Sequence, residues 1–241
     1  MTIHYAIIVA GGTGSRMGSD VPKQFMLLNG LPVMMHTLLA FQRSKCAPHL
    51  VLVLHPSMQE QWRLLCNAHH FQVPHKLVVG GESRFESVRS GLEEIRLTDG
   101  QAPGVLIAVH DAVRPLINPD LIDLSYAEAA RSGNAALAVP SSNSVRIEQL
   151  DGAGTFSYPR EKVYLMQTPQ TFRAADLFHA YEQPEDNTCT DDASVVEKTG
   201  IPITLVPGDT CNIKITFPDD LLVAERLLTS RRSGSSPDYA Q

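Results

Sequence analysis

The chain has 241 residues, 43% of them hydrophobic, enough to bury one sizeable core and too few for two full domains. A formal net charge of −6 excludes a protein that coats nucleic acid by neutralising phosphates, and no apolar run approaches the roughly 18 residues a membrane span needs. The first ten residues lack the charged region of a signal peptide, and Cys46, Cys66, Cys189 and Cys211 are far apart with no Cys-x-x-Cys pair, so we expect a soluble, cytoplasmic protein without a zinc site or disulfide framework.

Short β-branched runs alternate with longer amphipathic stretches, the pattern of βαβ units feeding a mostly parallel sheet. In chain order, strands are predicted at 5–9, 50–54, 77–79, 105–109, 135–139, 203–206 and 213–216, and helices at 33–41, 57–69, 83–97, 119–132, 174–181, 191–198 and 218–229. In the third helix, Phe85, Val88, Leu92 and Ile95 recur at spacings of three and four, which puts one stripe against a sheet. From 141 to 170 no helical stripe exists; Asp151-Gly152-Ala153-Gly154 separates runs at 145–149 and 155–158, as in a β-hairpin. The expected fold is a single α/β domain over 1–241. It has a Rossmann-like, mostly parallel sheet with helices on both faces, an extended β-hairpin arm at 141–170 and a flexible Ser/Gly/Pro-rich tail at 231–241.

The first strand runs into Ala10-Gly11-Gly12-Thr13-Gly14-Ser15-Arg16-Met17-Gly18, with Pro22-Lys23-Gln24 close behind. Glycines directly after a first strand let backbone N–H groups close around a phosphate chain. The spacing is not G-x-G-x-x-G, and no Gly-Lys-Ser/Thr occurs, so neither the dinucleotide fingerprint nor the P-loop is present. Arg16 and Lys23 instead place two cations in one loop, suited to the charge that accumulates at an α-phosphorus under attack. Gly80-Gly81 precedes a helix, whose free N–H groups near Glu82 can meet a base or ribose. Asp111 follows strand 105–109 at the carboxyl edge, where open α/β sheets bind ligands and where a carboxylate can hold Mg²⁺ against substrate phosphates. Lys214 alternates with Ile213 and Ile215; by itself it reads equally as an edge-strand guard. The nine histidines show no metal-ligand spacing.

The opening motif is similar to the signature of the sugar-phosphate nucleotidylyltransferases, and more narrowly the chain resembles the 2-C-methyl-D-erythritol 4-phosphate cytidylyltransferases. Matches continue at Gly80-Gly81-Glu82-Ser83-Arg84 with Ser87-Val88, at Val109-His110-Asp111-Ala112-Val113-Arg114-Pro115, at Thr168-Pro169-Gln170, at Thr190-Asp191-Asp192-Ala193-Ser194 and at Asn212-Ile213-Lys214-Ile215-Thr216. The resemblance implies a Mg²⁺-dependent homodimer that transfers CMP from CTP to a small sugar-alcohol phosphate. It implies CTP binding by Ala10, Gly11, Gly12, Gly14, Gly81, Glu82, Arg84, Ser87, Asp111 and Ala112, with Asp111 on the metal. Arg114, Ser144, Arg160, Thr168 and Lys214 would hold the acceptor, Arg160 and Thr168 acting across the dimer, and Arg16, Lys23, Lys214 and Arg160 would carry catalysis.

A phosphate monoester is a dianion above a second pKa of about 6, so no general base is needed to activate the acceptor. Where the resembled family usually reads Asp-Thr-x-Lys, this chain reads Asn143-Ser144-Val145-Arg146, which keeps the hydroxyl and the cation but not the carboxylate. Ribitol 5-phosphate therefore stands as the alternative acceptor, and a non-catalytic nucleotide-binding regulator as the alternative class.

Overall fold

Alternation along the first strand sorts the molecule into two faces. The computed structural model of the chain describes residues 2–10, 21–98, 102–149, 152 and 154–232. In β1 (His4–Ala10), Ala6, Ile8 and Ala10 enter one core and Tyr5, Ile7 and Val9 the other, as a two-residue period requires. The elements that follow are β2 (Leu27–Leu28), β3 (Leu31–Pro32), α1 (Val33–Arg43), β4 (His49–Leu54), α2 (Gln59–Ala68), β5 (Lys76–Val79), α3 (Arg84–Thr98), β6 (Leu106–Asp111), α4 (Pro119–Ser132) and β7 (Asn134–Pro140). Then come β8 (Val145–Glu148), β9 (Thr155–Tyr158), β10 (Tyr164–Arg173), α5 (Ala174–Tyr181), α6 (Asp192–Glu197), β11 (Leu205–Pro207) and α7 (Pro218–Arg232).

Seven strands form one sheet in the order β11-β7-β10-β6-β1-β4-β5. All neighbours run parallel except β10, which is antiparallel to both β6 and β7. Helices α1, α2 and α4 cover one face through residues such as Leu38, Trp62 and Tyr126, and α3, α5 and α6 cover the other through Val88, Leu177 and Val196. Each such fully buried large side chain contributes roughly 1.5–3 kcal/mol relative to exposure. A third, smaller core joins Leu28, Val33, Val113, Leu116 and Ile215 to Ala224 of α7. Helix α4 shows why its ends fall where they do: the Asn118 side chain accepts from Asp120 N–H, Pro119 opens the first turn, and Gly133 closes it at φ 98°.

Three expectations are corrected, and one element is added. Residues 164–170 are not the return of the arm but belong to β10, in the middle of the sheet, so the hairpin of β8 and β9 stands alone as the projecting part. The predicted strand at 213–216 joins no ladder; Ile215 turns into the third core and reaches the fold's backbone through Ile215 N–H to Val113 C=O, 2.9 Å. A two-residue hairpin at β2 and β3 was not expected, although Asn29 and Gly30 at φ 47° and 82° supply the left-handed pair such a turn requires. Arg231, expected to open the tail, lies in α7 and donates to Leu116 C=O and Asp209 Oδ2; the rest of the expected tail, from 233 on, falls outside the described residues.

Candidate active site

Parallel strands bring their carboxyl ends to one edge. β1 and β6 end side by side there, Val9 opposite Asp111. A cleft of about 210 Å³ opens at this edge, and its wall includes Ala10, Lys23, Glu82, Arg84, Asp111 and Lys214. A larger hollow of about 720 Å³ lies at the opposite edge, by His49 and Lys76, but its charged lining residues, Lys76 and Glu94, pair with each other at 3.1 Å. Charge gathers in the smaller one.

Asp111 is the centre of that charge. Its Oδ2 lies 2.9 Å from Lys214 Nζ and 3.5 Å from Arg114 Nε, and its Oδ1 lies 3.6 Å from Arg84 Nε. Burial pushes the carboxyl up, but Arg84, Lys214 and Arg114 together outweigh it and hold the group well below the usual carboxylate range. The segment that carries Lys214 is fastened by Asn212, which is fully buried: its side-chain amide donates to Thr168 C=O at 2.9 Å, and its own carbonyl accepts from Arg114 Nη1 at 2.8 Å.

His110 sits on the face opposite Asp111, its ring 5.0 Å from that of Phe41. Its Nε2 faces Arg114 C=O, which can only accept, so Nε2 carries the proton and Nδ1 accepts from Thr168 Oγ1 at 3.0 Å. Thr168 Oγ1 in turn accepts from Asp111 N–H at 3.1 Å. The chain of bonds is complete only with a neutral ring. Burial lowers the His110 pKa from 6.5 to about 3, against the attraction of Asp111 and with Arg114 adding repulsion. An unfolded chain therefore takes up a proton between pH 6.5 and 3 that the folded chain refuses, and stability falls on acidification through that window by up to about 1.4 kcal/mol per pH unit. Urea unfolding in metal-free buffer at pH 7 and pH 5 should show a smaller loss for His110→Gln than for the parent; equal losses would remove His110 from the acid response.

Arg84 is gripped from behind. Its Nη1 and Nη2 donate to Asp192 Oδ1 and Oδ2 at 2.9 and 2.6 Å, while its side chain faces the cleft. The preceding turn is a helix cap: Ser83 Oγ accepts from Glu86 N–H, and Glu86 Oε2 accepts from Glu82 N–H at 2.8 Å. A Cβ on Gly81 would stand 2.4 Å from Glu86 Cβ and 2.7 Å from its Oε2, so a side chain at 81 displaces the cap before it reaches any ligand. Gly81→Ala is thus expected to lower the melting temperature together with CTP affinity, checked by calorimetric unfolding beside CTP titration; an unchanged melting temperature would show that Glu86 yields freely.

The structure gathers Ala10, Lys23, Glu82, Arg84, Asp111 and Lys214 at one cleft, with Arg114 and Thr168 directly behind Asp111. Ser87 and Ala112 are fully buried beneath it, Ser87 donating to Gly81 C=O and Ala112 accepting from Thr37 Oγ1. Ser144 and Arg160 are not on its wall; both are exposed at the arm, where Arg160 Nη1 donates to Ser142 C=O. Gly11, Gly12, Gly14 and Arg16 lie outside the described residues. Arg146, in the position where the resembled family usually carries Lys, is engaged across the hairpin, its Nε and Nη2 donating to Thr155 Oγ1 and C=O. Among the described residues no cluster of three His, Cys, Asp or Glu could cage a metal, and the four cysteines are free.

The sequence matches the 2-C-methyl-D-erythritol 4-phosphate cytidylyltransferase family over residues 4–230. The chain belongs to this family. A cytidylyltransferase of that name from Porphyromonas gingivalis is 46% identical over 230 residues, spanning 94% of this chain and 98% of the relative. One from Bacteroides thetaiotaomicron is 45% identical over 222 residues, spanning 92% and 98%. Among solved structures, the cytidylyltransferase of Francisella tularensis aligns with a TM-score of 0.74 at 31% identity over 93% of this chain and 99% of its own. The 4-diphosphocytidyl-2C-methyl-D-erythritol synthase of Anaerococcus prevotii aligns with a TM-score of 0.79 at 26% identity over 95% and 96%. The mixed, mostly parallel sheet with flanking helices is thus the cytidylyltransferase architecture.

Proposed function

We propose that the cleft at Asp111 performs the family's reaction, transfer of CMP from CTP to 2-C-methyl-D-erythritol 4-phosphate with release of pyrophosphate, a step of the non-mevalonate isoprenoid pathway. The observation that carries this reading is the charge of the wall. Three cations, Lys23, Arg84 and Lys214, face two carboxylates, Glu82 and Asp111, while Arg114 and Asp192 behind the wall offset each other, which leaves an excess that a polyphosphate would neutralise. An oxygen of the acceptor phosphate forms the new bond to the α-phosphorus of CTP as the bond to the β-phosphate breaks in line opposite, and the electron pair leaves with pyrophosphate. Lys23 stabilises charge on the triphosphate; Lys214, already 2.9 Å from Asp111, can turn its ammonium to the reacting phosphate.

Asp111 would hold a magnesium ion: it is an ionised carboxylate on the cleft wall, and its Oδ2 is opened when Lys214 turns from it to a phosphate, while Mg²⁺ takes one or two carboxylates with the rest from phosphates and water. When bound, the ion would supply Lewis-acid neutralisation of the phosphate oxygens. No helix among the described residues is long and apolar enough to cross a membrane. The substrates are water-soluble phosphates, and for that reason we take the cytoplasm as the place of action.

The arm argues for a homodimer. Ile147 and Phe156 lie directly opposite each other on one face of the hairpin and are 39% and 44% exposed, an apolar pair only partly covered by the described residues. A partner arm related by a two-fold axis would cover it and bring Arg160 to the other subunit's cleft. The direct test is pyrophosphate release from CTP and Mg²⁺ with 2-C-methyl-D-erythritol 4-phosphate or ribitol 5-phosphate as acceptor; turnover with ribitol 5-phosphate alone would overturn the acceptor.

A further inference from the structure

Two sequence motifs, Thr168-Pro169-Gln170 and Thr190–Ser194, meet behind the cleft, away from its wall. Gln170 projects from β10 and holds the start of α6 at two points: its Nε2 donates to Asp191 Oδ2 at 2.7 Å and its Oε1 accepts from Ala193 N–H at 2.8 Å. Asp191 caps the helix in a reciprocal box with Ser194. The residue between these anchors, Asp192, is fully buried. Both of its oxygens take the guanidinium of Arg84, and Oδ1 also accepts from Tyr181 Oη at 2.6 Å. The Tyr181 ring is stacked on Phe85 at 4.6 Å, so the hydroxyl is aimed by packing.

A buried carboxylate bound this way fixes an arginine in one orientation, because two parallel N–H···O bonds set the plane and direction of the guanidinium as well as its distance. Asp111 offers Arg84 a competing carboxylate, but the approach between them, Nε to Oδ1 at 3.6 Å, is too long for a hydrogen bond. We infer that Asp192 is a positioning residue for nucleotide binding: by occupying both Nη atoms it keeps Arg84 from closing as a fork on Asp111 and holds its side chain at the cleft wall. The inference rests on the reading that this cleft binds CTP. Gln170, Asp191 and Tyr181 are the frame that presents Asp192.

The test is a double-mutant cycle on CTP affinity by titration calorimetry, with Michaelis constants measured in parallel. Asp192→Asn should weaken CTP binding and raise the Michaelis constant for CTP about tenfold, the scale of a lost bidentate charge-assisted contact, while that for the acceptor stays within about twofold. Tyr181→Phe keeps the ring against Phe85 and removes one bond to Asp192, so it should shift CTP affinity in the same direction by a smaller factor, and it serves if Asp192→Asn does not fold. In an Arg84→Ala background either change should have little further effect. Effects that multiply in full would overturn the inference, since Asp192 would then act without Arg84. If Arg84→Ala itself leaves CTP affinity unchanged, the inference falls because the cleft reading of Arg84 has failed, a result distinct from full additivity.

Discussion

Lys23→Ala should lower the maximal rate of pyrophosphate release by about 10²–10³-fold while CTP affinity changes by less than tenfold. Lys23 opens a single 3₁₀ turn, Lys23–Phe25, that is pinned on both remaining residues. Gln24 is buried and donates to Ala10 C=O at 3.1 Å, and Phe25 stacks parallel to Trp62 with ring centroids 6.4 Å apart. A cation on so fixed a base needs little reorganisation when charge develops, so its contribution belongs to the transition state more than to the bound substrate. Saturation kinetics beside equilibrium CTP titration would separate the two; equal losses in rate and affinity would make Lys23 a ground-state contact. Lys23→Arg keeps the charge on a different shape and should recover only part of the rate.

Much of this site could be read from the chain because its parts sit at element ends with strong local grammar. Asp111 ends a buried run that had to be a strand, and Gly80-Gly81-Glu82-Ser83 joins a strand to a helix that Ser83 caps. The same grammar hid β10. Pro169 speaks against a central strand, since it cannot donate to a ladder, and the fold accommodates it with a register shift between Met166 and Gln170. At 213–216 the alternation was real but local; whether Ile215 meets a neighbouring strand or a helix is decided by α7, far from the pattern itself. Asp192 was visible within a motif but carried no role, because a buried carboxylate acquires meaning only from its partner, and Arg84 lies 108 positions away. Long-range pairings of this kind leave no periodicity to read.

Lys23→Ala and Arg160→Ala proteins, each expected to be inactive alone, should regain activity when mixed and allowed to exchange subunits. Arg160 sits in an exposed turn at the base of the arm, off the wall of its own cleft, and its guanidinium donates to Ser142 C=O at 3.1 Å. An arginine suits bidentate capture of an acceptor phosphate, but here it would have to reach a cleft on another subunit. In a two-fold dimer each arm serves the neighbour, so a heterodimer pairs the intact Lys23 of one chain with the intact Arg160 of the other at one of its two sites. Random exchange then makes about half of the dimers mixed and restores about a quarter of the parent's sites. Ile147→Glu together with Phe156→Glu would charge the apolar pair on the hairpin, and should abolish both dimerisation and the rescue, read by light scattering and pyrophosphate release. If exchange is verified by mass tagging and the mixture stays inactive, Lys23 and Arg160 act within one chain and the arm does not work in trans.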